Sequence, residues 1–472
     1  MRFALYVPHV PDENTTPPLG PLYLLAVLEK AGIEGRLFDA RLGRAALEEL
    51  VAYGPGIVGV SAVTPGYEDG LRAAKAVKER LGDIPVIFGG PHPTSLPEDV
   101  LRESAVDYVL TGECEGALSK LCSLLGEGKA TETSLRHVPN LWFKKGEAIQ
   151  HTESLPFLSP EELDALPWPA FHLMDLETYF SGTQTHGLFR RGKRILPIMT
   201  GRGCPQNCTY CCRVMGQRVR ERSTDSVMAE IRHLVDTYAV DEIYIEDDTF
   251  TIPRARALDI LERLASFTPP IYIKFANGVR ADLVDSELLA AMKRARVYSL
   301  SFGIESGCEA TLKKMKKHLD LERARENVLL AKSMGFLVGA NCIIGYPGET
   351  LADIEVSMNF FLALPLDSMA IVNLVPFPGT EVRRICEEKG YLTEHAARWG
   401  NYFFSINNPI PLIETPALSQ EDLVRAVKRA YRRMYMRPKW LWRSLRHLSI
   451  RQIIAGAVIM LGRKRRAEPP RE

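Results

Sequence analysis

The stretch Thr200-Gly-Arg-Gly-Cys-Pro-Gln-Asn-Cys-Thr-Tyr-Cys-Cys212 decides how this chain is interpreted. Cys204, Cys208 and Cys211 are separated by three and by two residues and follow an apolar run. Full protein ligation of a [4Fe–4S] cluster takes four Cys, and a structural zinc ion also takes four ligands. Three thiolates on one loop therefore indicate a cubane site with one iron left open for a chelating substrate. The alternative is structural zinc, with Cys212 or a distant His as the fourth ligand.

Length and composition limit the class of protein to which this chain can belong. The chain has 472 residues, 46% of them apolar, and a net charge of +1, which is typical of a globular protein of two or three domains. It has nine Cys, the first at Cys114, and a strand-like run directly after Met1, so a cytoplasmic location is expected. No uncharged apolar run reaches the ~18–20 residues that a membrane-spanning helix needs.

Residues 1–115 alternate β-rich apolar runs with helical patterns, which predicts a doubly wound, Rossmann-like parallel sheet. Ligands bind such sheets beyond the carboxyl ends of the strands, and Gly and Pro there let a flat, bulky ligand approach the backbone. The four strand ends of this kind are Pro8-His-Val-Pro11, Ser61-Ala-Val-Thr-Pro-Gly66, Gly89-Gly-Pro-His-Pro-Thr94 and Gly112-Glu-Cys-Glu-Gly116. Residues 126–190 lose the alternation and are rich in Pro, which predicts a linker.

From residue 195 to residue 375 the alternation returns, and six β/α units predict a partial parallel (β/α)6 barrel with its chemistry at the carboxyl ends of the strands. The candidate residues at those ends are Ile245-Glu-Asp-Asp-Thr-Phe250, Asn277 and Arg280, Gly303-Ile-Glu-Ser-Gly307, and Ile344-Gly-Tyr-Pro-Gly-Glu349. We therefore expect an amino-terminal domain over 1–125, a linker over 126–190, a barrel over 191–384 and a mainly helical carboxyl-terminal region over 385–472.

Taken in order, the Cys triplet, the aromatic Tyr210 and these strand-end motifs resemble the radical S-adenosylmethionine (SAM) enzymes. The resemblance implies that the three Cys ligate a [4Fe–4S] cluster whose open iron binds SAM. It implies further SAM contacts from Glu246, Asp247 and Asp248 at the amino group, from Glu305 at a ribose hydroxyl, and from Gly345 to Gly348 against the adenine. In the alternative interpretation, Asp247-Asp248 caps the next helix and Gly348-Glu349-Thr350 starts one. Two roles are open to Arg280, which can hold the SAM carboxylate or pair with Asp282.

The amino-terminal segment resembles the cobalamin-binding domain that precedes the radical SAM core in one large subfamily. The resemblance covers residues 1–125 and rests on Pro17-Pro-Leu-Gly-Pro-Leu-Tyr-Leu-Leu-Ala-Val-Leu-Glu-Lys-Ala-Gly32, Gly89-Gly-Pro-His-Pro and Gly112-Glu. It implies cobalamin contacts from Pro18, Gly20, Ser61, Gly89, Gly90 and Gly112. Because the chain has no Asp-x-His motif, it also implies cobalt without a protein His, although His9 and His92 lie in strand-end loops. The alternative is a flavodoxin-like domain with an empty crevice.

Together the two resemblances imply a cobalamin-dependent radical SAM enzyme, with methyl transfer to an unactivated carbon as its main expected function. In the implied mechanism, a 5′-deoxyadenosyl radical from one SAM abstracts hydrogen from the substrate, and the methyl group of a second SAM passes through cobalamin to the substrate radical. The alternative within the family is oxidative cyclisation, ring modification or hydroxylation, as in the anaerobic porphyrin-ring cyclases. A binding protein without turnover would need no open iron. The family also implies an electron donor such as flavodoxin or ferredoxin.

The positions of the other cysteines narrow the choice among subfamilies of radical SAM enzymes. No Cys precedes Cys114, which argues against the tRNA methylthiotransferases, and none follows Cys386, which argues against auxiliary-cluster subfamilies. Cys308 and Cys342 lie on or beside barrel strands, where each is either a second catalytic thiol or a small buried apolar residue.

Positive charge is concentrated in the tail. Residues 425–466 carry fourteen Lys or Arg and no acid, and Trp440, Trp442 and the apolar run 453–461 lie among them. This makeup is typical of an interfacial helix on an anionic membrane, and the alternative is a helix packed on the barrel followed by a solvated basic tail. Membrane contact would favour a lipid-like or tetrapyrrole substrate, whereas nucleic-acid binding is not expected.

Overall fold

The structure is a computed structural model, and it describes residues 1–11, 15–43, 45–181, 189–403 and 409–437. Its amino-terminal unit contains β1 Arg2–Val7, α1 Leu19–Lys30, β2 Glu34–Asp39, α2 Ala46–Tyr53, β3 Ile57–Ser61, α3 Tyr67–Leu81, β4 Val86–Gly89, α4 Pro91–Ser95, α5 Pro97–Arg102, β5 Tyr108–Leu110, α6 Glu115–Gly126, α7 Glu132–Leu135, β6 Leu141–Lys145 and β7 Ala148–His151.

The amino-terminal unit is built on a seven-stranded sheet with the order β2-β1-β3-β4-β5-β6-β7. Its first five strands are parallel, as predicted, and their apolar runs are buried because helices cover both faces. Chain order reverses between β1 and β3, and ligands bind doubly wound sheets at such a reversal. The loops that follow these two strands therefore flank the expected crevice.

The predicted linker is wrong in its first part. Strands β6 and β7 form a hairpin that extends the sheet antiparallel to β5. The alternating burial of Leu141 and Phe143 supplies the apolar face of the hairpin, and Gly146 turns the chain with a φ of +60°. The Pro-rich stretch that follows obscured this short signal in the sequence, and its described residues include the short helices α8 Pro160–Ala165 and α9 Leu176–Ser181.

The second unit is the predicted partial barrel. Its elements are β8 Ile195–Ile198, β9 Gly201–Arg202, β10 Arg220–Glu221, α10 Thr224–Tyr238, β11 Glu242–Ile245, α11 Arg254–Ala265, β12 Tyr272–Phe275, α12 Ser286–Arg294, β13 Ser299–Glu305, α13 Glu309–Lys314, α14 Leu321–Ser333, β14 Leu337–Ile344, α15 Leu351–Ala363 and β15 Ser368–Asn373. Strands β8, β11 and β12 form one parallel sheet and β13, β14 and β15 another, and a parallel bridge between Ile273 and Val297 joins them. Six parallel strands thus present their carboxyl ends at one mouth.

The two units share apolar packing. Leu19, Leu22 and Tyr23 of α1 belong to the same buried cluster as the barrel strands and helices. The first helix of the amino-terminal unit therefore packs directly on the barrel, which holds the two sheets in a set relation.

The carboxyl-terminal region contains α16 Glu381–Glu388 and α17 Gln420–Tyr435. Helix α17 buries Leu423, Val427 and Met434 against the barrel, and the Tyr431 hydroxyl accepts a hydrogen bond from the backbone nitrogen of Ile371. This part of the tail is the packed helix of the alternative interpretation. The expected interfacial segment, with Trp440, Trp442 and 453–461, lies outside the described residues. In the part of the chain that the structure describes, no helix is both long and apolar enough to cross a membrane.

Candidate active site

The cluster loop, residues 203–219, is closed at its base by the two short strands β9 and β10. Gly203 has a φ of +92°, and a Cβ at this position would lie 2.2 Å from the carbonyl oxygen of Arg218. Only glycine fits this close approach, so the backbone is compact immediately before Cys204. The Cys204 nitrogen in turn donates to the Gly216 carbonyl at 3.2 Å.

The thiols of this loop have the chemistry of cluster ligands. A hydrogen bond from the Cys211 thiol lowers the pKa of Cys208 to about 6, and the positive charge of Lys317 acts in the same direction. Burial raises the pKa of Cys204, and the hydrogen bond with Cys208 raises that of Cys211, so the loop favours one thiolate before iron is bound. Iron binds thiolates, and three thiols on one loop are a donor set that fits the cluster. Within the described ranges, no three His, Cys, Asp or Glu side chains are already gathered as a metal site. The ligand roles of Cys204, Cys208 and Cys211 stay a prediction from their spacing and chemistry.

Asp247 and Asp248 hold the start of this loop. The Asp247 carboxylate accepts hydrogen bonds from the Thr200 nitrogen at 2.6 Å and from the Thr200 hydroxyl at 2.5 Å. Asp248 accepts from the Gly203 nitrogen at 3.1 Å. The helix-cap alternative for these two residues is wrong, because the N-cap of α11 is Pro253. Burial raises the pKa of Asp247 to about 6.

Glu246 differs from its two neighbours in what it faces. Burial raises the pKa of its carboxyl group to about 7, and the charge of Arg41, a residue of the amino-terminal unit, acts in the opposite direction. Of the three residues predicted to meet the SAM amino group, Glu246 is therefore the one whose pKa is influenced by a charge of the other unit. Asp247 is committed to the loop, and all three roles toward SAM stay predictions.

Arg280 takes the second of its two predicted roles. Its Nε donates to Asp282 Oδ1 at 2.7 Å and its Nη2 to Asp282 Oδ2 at 3.0 Å, which is a bidentate pair. Its Nη1 also donates to the side chain of Gln206 and to the Lys317 carbonyl. The guanidinium group therefore ties the cluster loop to the segment after α13.

Glu305 lies at the end of β13 with a φ of +73°, a strained conformation for a residue other than glycine. Its carboxylate forms a buried ion pair with Lys317, with Nζ 3.3 Å from Oε1. Lys317, which the sequence analysis did not single out, is also one of the charges that acts on Cys208. This ion pair therefore links the predicted ribose contact to the cluster ligands.

The segment after β14 carries Gly345 and Gly348, with φ values of +90° and +82°. The buried carboxylate of Glu349 accepts hydrogen bonds from the Gly345 nitrogen at 2.6 Å and the Tyr346 nitrogen at 3.2 Å. Helix α15 starts at the next residue, since Thr350 is its N-cap in a capping box, as the alternative interpretation held. The Tyr346 hydroxyl lies 2.7 Å from the hydroxyl of Thr209, so this segment is joined to the cluster loop.

A largely apolar cavity of about 240 Å³ opens beside the loop, between the ends of β14 and β15. Its lining residues are Tyr210, Ile343, Val372, Asn373, Leu374, Val375, Phe377 and Phe403. Asn373 is 5% exposed, and neither its Nδ2 nor its Oδ1 has a hydrogen-bond partner among the described residues. Sequence reasoning missed Asn373, and the only signal was a polar residue at the end of an apolar strand.

Two further cysteines gain no catalytic support. Cys342 packs in the barrel core, where burial raises its pKa well above the ordinary value. Cys308 lies at the N-cap of α13, with its sulfur 3.5 Å from the Asp353 carboxylate. Cys212 lies beside the triplet, and its sulfur is 4.0 Å from the Pro378 carbonyl oxygen.

The predicted cobalamin residues converge on one edge of the amino-terminal sheet. Ser61 and Gly89 are register partners at the ends of β3 and β4, and Pro18 and Gly20 stand at the start of α1, which follows β1. Gly112 follows β5 with a φ of +65°. Gly90 has a φ of +99°, and a Cβ there would lie 2.9 Å from the Ala62 carbonyl oxygen. The backbone at this edge therefore has the close approach that a flat ligand needs.

The two histidines of this edge have different surroundings. His92 is 1% exposed, and its ring lies between those of Tyr67 and Trp399, at centroid distances of 4.2 Å and 4.9 Å. Burial lowers its pKa to about 4, so the ring is neutral. His9 is exposed. A His enclosed by two aromatic rings is poorly placed to reach a metal in the crevice, so the expectation of no protein His on cobalt stands as a prediction.

The carboxyl edge of the amino-terminal sheet meets the base of the cluster loop at Glu113. This residue follows Gly112 at the end of β5, and its carboxylate pairs with Arg202 at 3.0 Å and with Arg220 at 2.7 Å. Both arginines stand at the base of the cluster loop. The carboxyl edge of the amino-terminal sheet is thus in direct contact with the mouth of the barrel.

Comparison with known families agrees with this architecture. Residues 198–361 match the model of the radical SAM superfamily. Residues 11–122 match the model of the B12 binding domain. The first match contains the barrel strands β11, β12, β13 and β14 and the last residue of β8, and the second contains β2, β3, β4 and β5 of the amino-terminal sheet.

Several curated proteins are similar over most of the chain. An uncharacterized methyltransferase of Pyrococcus horikoshii is 27% identical over 439 residues, which are 92% of this chain and 90% of that protein. Cytidylyl-2-hydroxyethylphosphonate methyltransferase of Streptomyces wedmorensis is 27% identical, with 80% of this chain and 79% of that protein covered. Anaerobic magnesium-protoporphyrin IX monomethyl ester cyclase of Synechocystis is 26% identical, with 83% and 77% covered.

Solved structures share the fold. The radical SAM methyltransferase TsrM from Kitasatospora setae, solved with cobalamin and a [4Fe–4S] cluster bound, superposes with a TM-score of 0.65 at 18% identity. The superposition covers 90% of this chain and 81% of that one. The same order of two α/β units is therefore found in a structure that holds both groups.

Proposed function

We propose, from the membership of this chain in the cobalamin-binding radical SAM enzymes, that it is a methyltransferase acting on an unactivated carbon of a small molecule. One observation carries the proposal: Glu113, at the edge predicted to hold cobalamin, contacts Arg202, two residues before the first cluster ligand. Methyl transfer through cobalamin requires both groups to serve one substrate, and this contact supports the proposal because it joins the two edges that are predicted to hold them.

Each part of the site has a role in this reaction. When bound, the cluster supplies the electron that cleaves SAM, and cobalamin carries the methyl group. Cys204, Cys208 and Cys211 would hold the cluster, and the residues at the end of β11 would face the SAM amino group. The buried pair of Glu305 and Lys317 would place a carboxylate oxygen beside the ribose hydroxyls.

We assign the cavity beside Tyr210 to the adenine of SAM. Its walls are apolar, and Asn373 offers one donor and one acceptor that have no partner among the described residues. An adenine edge presents a complementary donor and acceptor, so binding would satisfy a buried amide that is costly to leave without partners. This placement extends the predicted adenine contact from Gly345–Gly348 to the neighbouring strand end.

The test of the function is a labelled-methyl experiment. The full chain, reconstituted anaerobically with iron, sulfide and cobalamin, is incubated with a reductant, CD3-labelled SAM and metabolite extract. We expect S-adenosylhomocysteine, 5′-deoxyadenosine and a metabolite that carries the CD3 group, and we expect none of them from Cys204→Ala. An altered but unlabelled product with 5′-deoxyadenosine alone would instead support the cyclase alternative. If neither product pattern forms, the enzyme proposal fails.

The substrate, the location and the partners are finer proposals. The relationship to a magnesium-protoporphyrin cyclase and the basic, Trp-containing tail support a tetrapyrrole or lipid-like substrate and peripheral contact with the inner face of the membrane. The radical SAM superfamily match supports a flavodoxin or ferredoxin as the electron donor. Sedimentation with anionic and neutral liposomes, using the full chain and a truncation after Met436, tests the membrane proposal. Equal binding by the truncation, or none by the full chain at low salt, would contradict it.

A further inference from the structure

The base of the cluster loop carries two arginines side by side. Arg202 on β9 and Arg220 on β10 are register partners in an antiparallel pair, so their side chains leave the same face of this two-stranded ribbon. They flank the loop, with Cys204 two residues after Arg202. Any shift of this pair therefore moves both ends of the loop that carries the predicted cluster ligands.

Both arginines bind one carboxylate of the other unit. Arg220 makes a bidentate pair with Glu113, with Nη1 at 2.7 Å from Oε2 and Nη2 at 2.8 Å from Oε1. Arg202 Nη1 lies 3.0 Å from Glu113 Oε1 and 2.8 Å from Glu115 Oε1. None of the four side chains is more than 11% exposed. Although burial acts to raise it, the two guanidinium groups hold the pKa of Glu113 below its ordinary value.

The Glu113 carboxylate also binds the connecting segment, the Pro-rich stretch that follows the β6–β7 hairpin. Glu113 Oε2 accepts a hydrogen bond from the Leu158 nitrogen at 2.8 Å, and Arg220 donates to the Leu158 carbonyl at 2.9 Å. Arg220 further donates to the Met215 carbonyl, inside the cluster loop, at 2.7 Å. Glu113 and Arg220 thus join the end of β5, the connecting segment and the cluster loop.

Such a network is an expensive way to join two units. Removing charges from water costs several kcal/mol each, and apolar residues of similar volume often replace a buried pair without loss of stability. What the charges add is direction, because a bidentate fork fixes both distance and orientation. The unit interface already has apolar packing through Leu22 and Tyr23, so adhesion does not require the network.

We infer that Glu113 is a positioning residue, which sets the separation between the cobalamin edge of the amino-terminal sheet and the cluster loop without touching either group. The inference rests on the proposed function, since it concerns how the two cofactor sites are aligned. Glu113 adjoins Gly112 of the cobalamin edge, and its partner Arg202 adjoins Gly203 of the cluster loop. A change at this one carboxylate should therefore alter the geometry between the sites while both sites stay loaded.

The experiment uses the holoenzyme with Glu113→Gln, which keeps the shape and removes the charge. Iron and cobalamin contents should equal those of the wild type. Power saturation of the cob(II)alamin EPR signal in the presence of the reduced cluster reports the distance between the two spins. We expect the half-saturation power to fall toward that of Cys204→Ala protein, which has cobalamin alone. S-adenosylhomocysteine formation should fall about 100-fold, as expected for a displacement of about 1 Å.

A matched control separates positioning from stability. Asp367→Asn removes another buried carboxylate, paired with Lys332 at 2.5 Å before β15 and away from the barrel mouth. It should lower the melting temperature and leave the EPR relaxation unchanged. Should Glu113→Gln fold poorly, the double variant Glu113→Met with Arg220→Met removes both charges and restores packing. Its relaxation should stay altered even where its melting temperature recovers.

Several results would overturn the inference. One is wild-type relaxation and S-adenosylhomocysteine formation in Glu113→Gln, and another is recovery of both in the double variant, which lacks the Glu113–Arg220 pair and would then assign that pair to stability alone. If the wild-type enzyme forms no S-adenosylhomocysteine, this result contradicts the proposed function and not the positioning role. The EPR comparison would still decide the positioning role, because it requires only that both groups are bound.

Discussion

Asp247 binds Thr200 through two hydrogen bonds, one from the backbone nitrogen at 2.6 Å and one from the hydroxyl at 2.5 Å. The two residues are fully or almost fully buried, at the ends of the neighbouring strands β11 and β8. The cluster loop therefore starts from a point that a second barrel strand holds in place. Asp247 thus fixes the start of the loop, a contact that the resemblance did not predict, and its role toward SAM stays a prediction.

Replacing Thr200 by Val should destabilise the protein, because it leaves a buried carboxylate oxygen without its hydroxyl donor. We expect a loss of about 1–3 kcal/mol in the free energy of unfolding. Chemical denaturation of the reconstituted protein measures it. Thr200→Ser keeps the hydroxyl and is the matched control, for which most of that loss should be absent. Equal losses in the two variants would assign the effect to packing of the methyl group.

Iron analysis distinguishes the three predicted cluster ligands from the neighbouring Cys212. Anaerobically reconstituted protein should bind about four irons, and Cys204→Ala, Cys208→Ala and Cys211→Ala should lose them. Cys212→Ala should keep the cluster, because its sulfur faces the Pro378 carbonyl. Loss of iron in the Cys212 variant with retention in one of the other three would show that the ligand set is wrong.

Asn373 should contribute to SAM affinity. Asn373→Leu removes the donor and the acceptor from the cavity at similar volume, so the dissociation constant for SAM should rise about tenfold, equivalent to one net hydrogen bond of about 1.4 kcal/mol. Equilibrium dialysis of the reconstituted protein with labelled SAM measures it. Asn327→Leu is the control, since its amide donates to the Ala281 carbonyl away from the cavity. Unchanged affinity in Asn373→Leu would contradict the adenine assignment.

His92 should make stability depend on pH. Burial lowers its pKa from 6.5 to about 4 in the folded protein, so between these values the unfolded chain binds more protons. Its contribution is fully present above pH 6.5 and is lost as the pH falls toward 4, by at most about 3 kcal/mol. Melting temperatures from pH 7.5 to pH 5 should fall less steeply in His92→Phe than in the wild type. The exposed His137→Gln should follow the wild-type curve, and an unchanged slope in His92→Phe would show that His92 does not set it.

The predictions that held depend on local sequence. Six strands and their helices could be predicted from apolar periodicity, because each element buries one side of itself wherever the chain places it. The β6–β7 hairpin was not predicted from the sequence, because its two short strands are stable only beside β5. Arg280 illustrates a choice that sequence left open: the structure shows its pair with Asp282, and a contact with the SAM carboxylate stays a prediction.

By itself the sequence predicted the ligand set and determined the order of the two units, because thiol spacing within one loop and strand periodicity are properties of neighbouring residues. The tertiary structure decided what faces those ligands. Thr200 and Asp247, and Glu113 and Arg202, are distant in sequence and meet because strands end at common edges, whereas His92 and Trp399 meet because the carboxyl-terminal region packs on the amino-terminal unit. The free energy of each such contact depends on burial and orientation, which residue types alone do not specify.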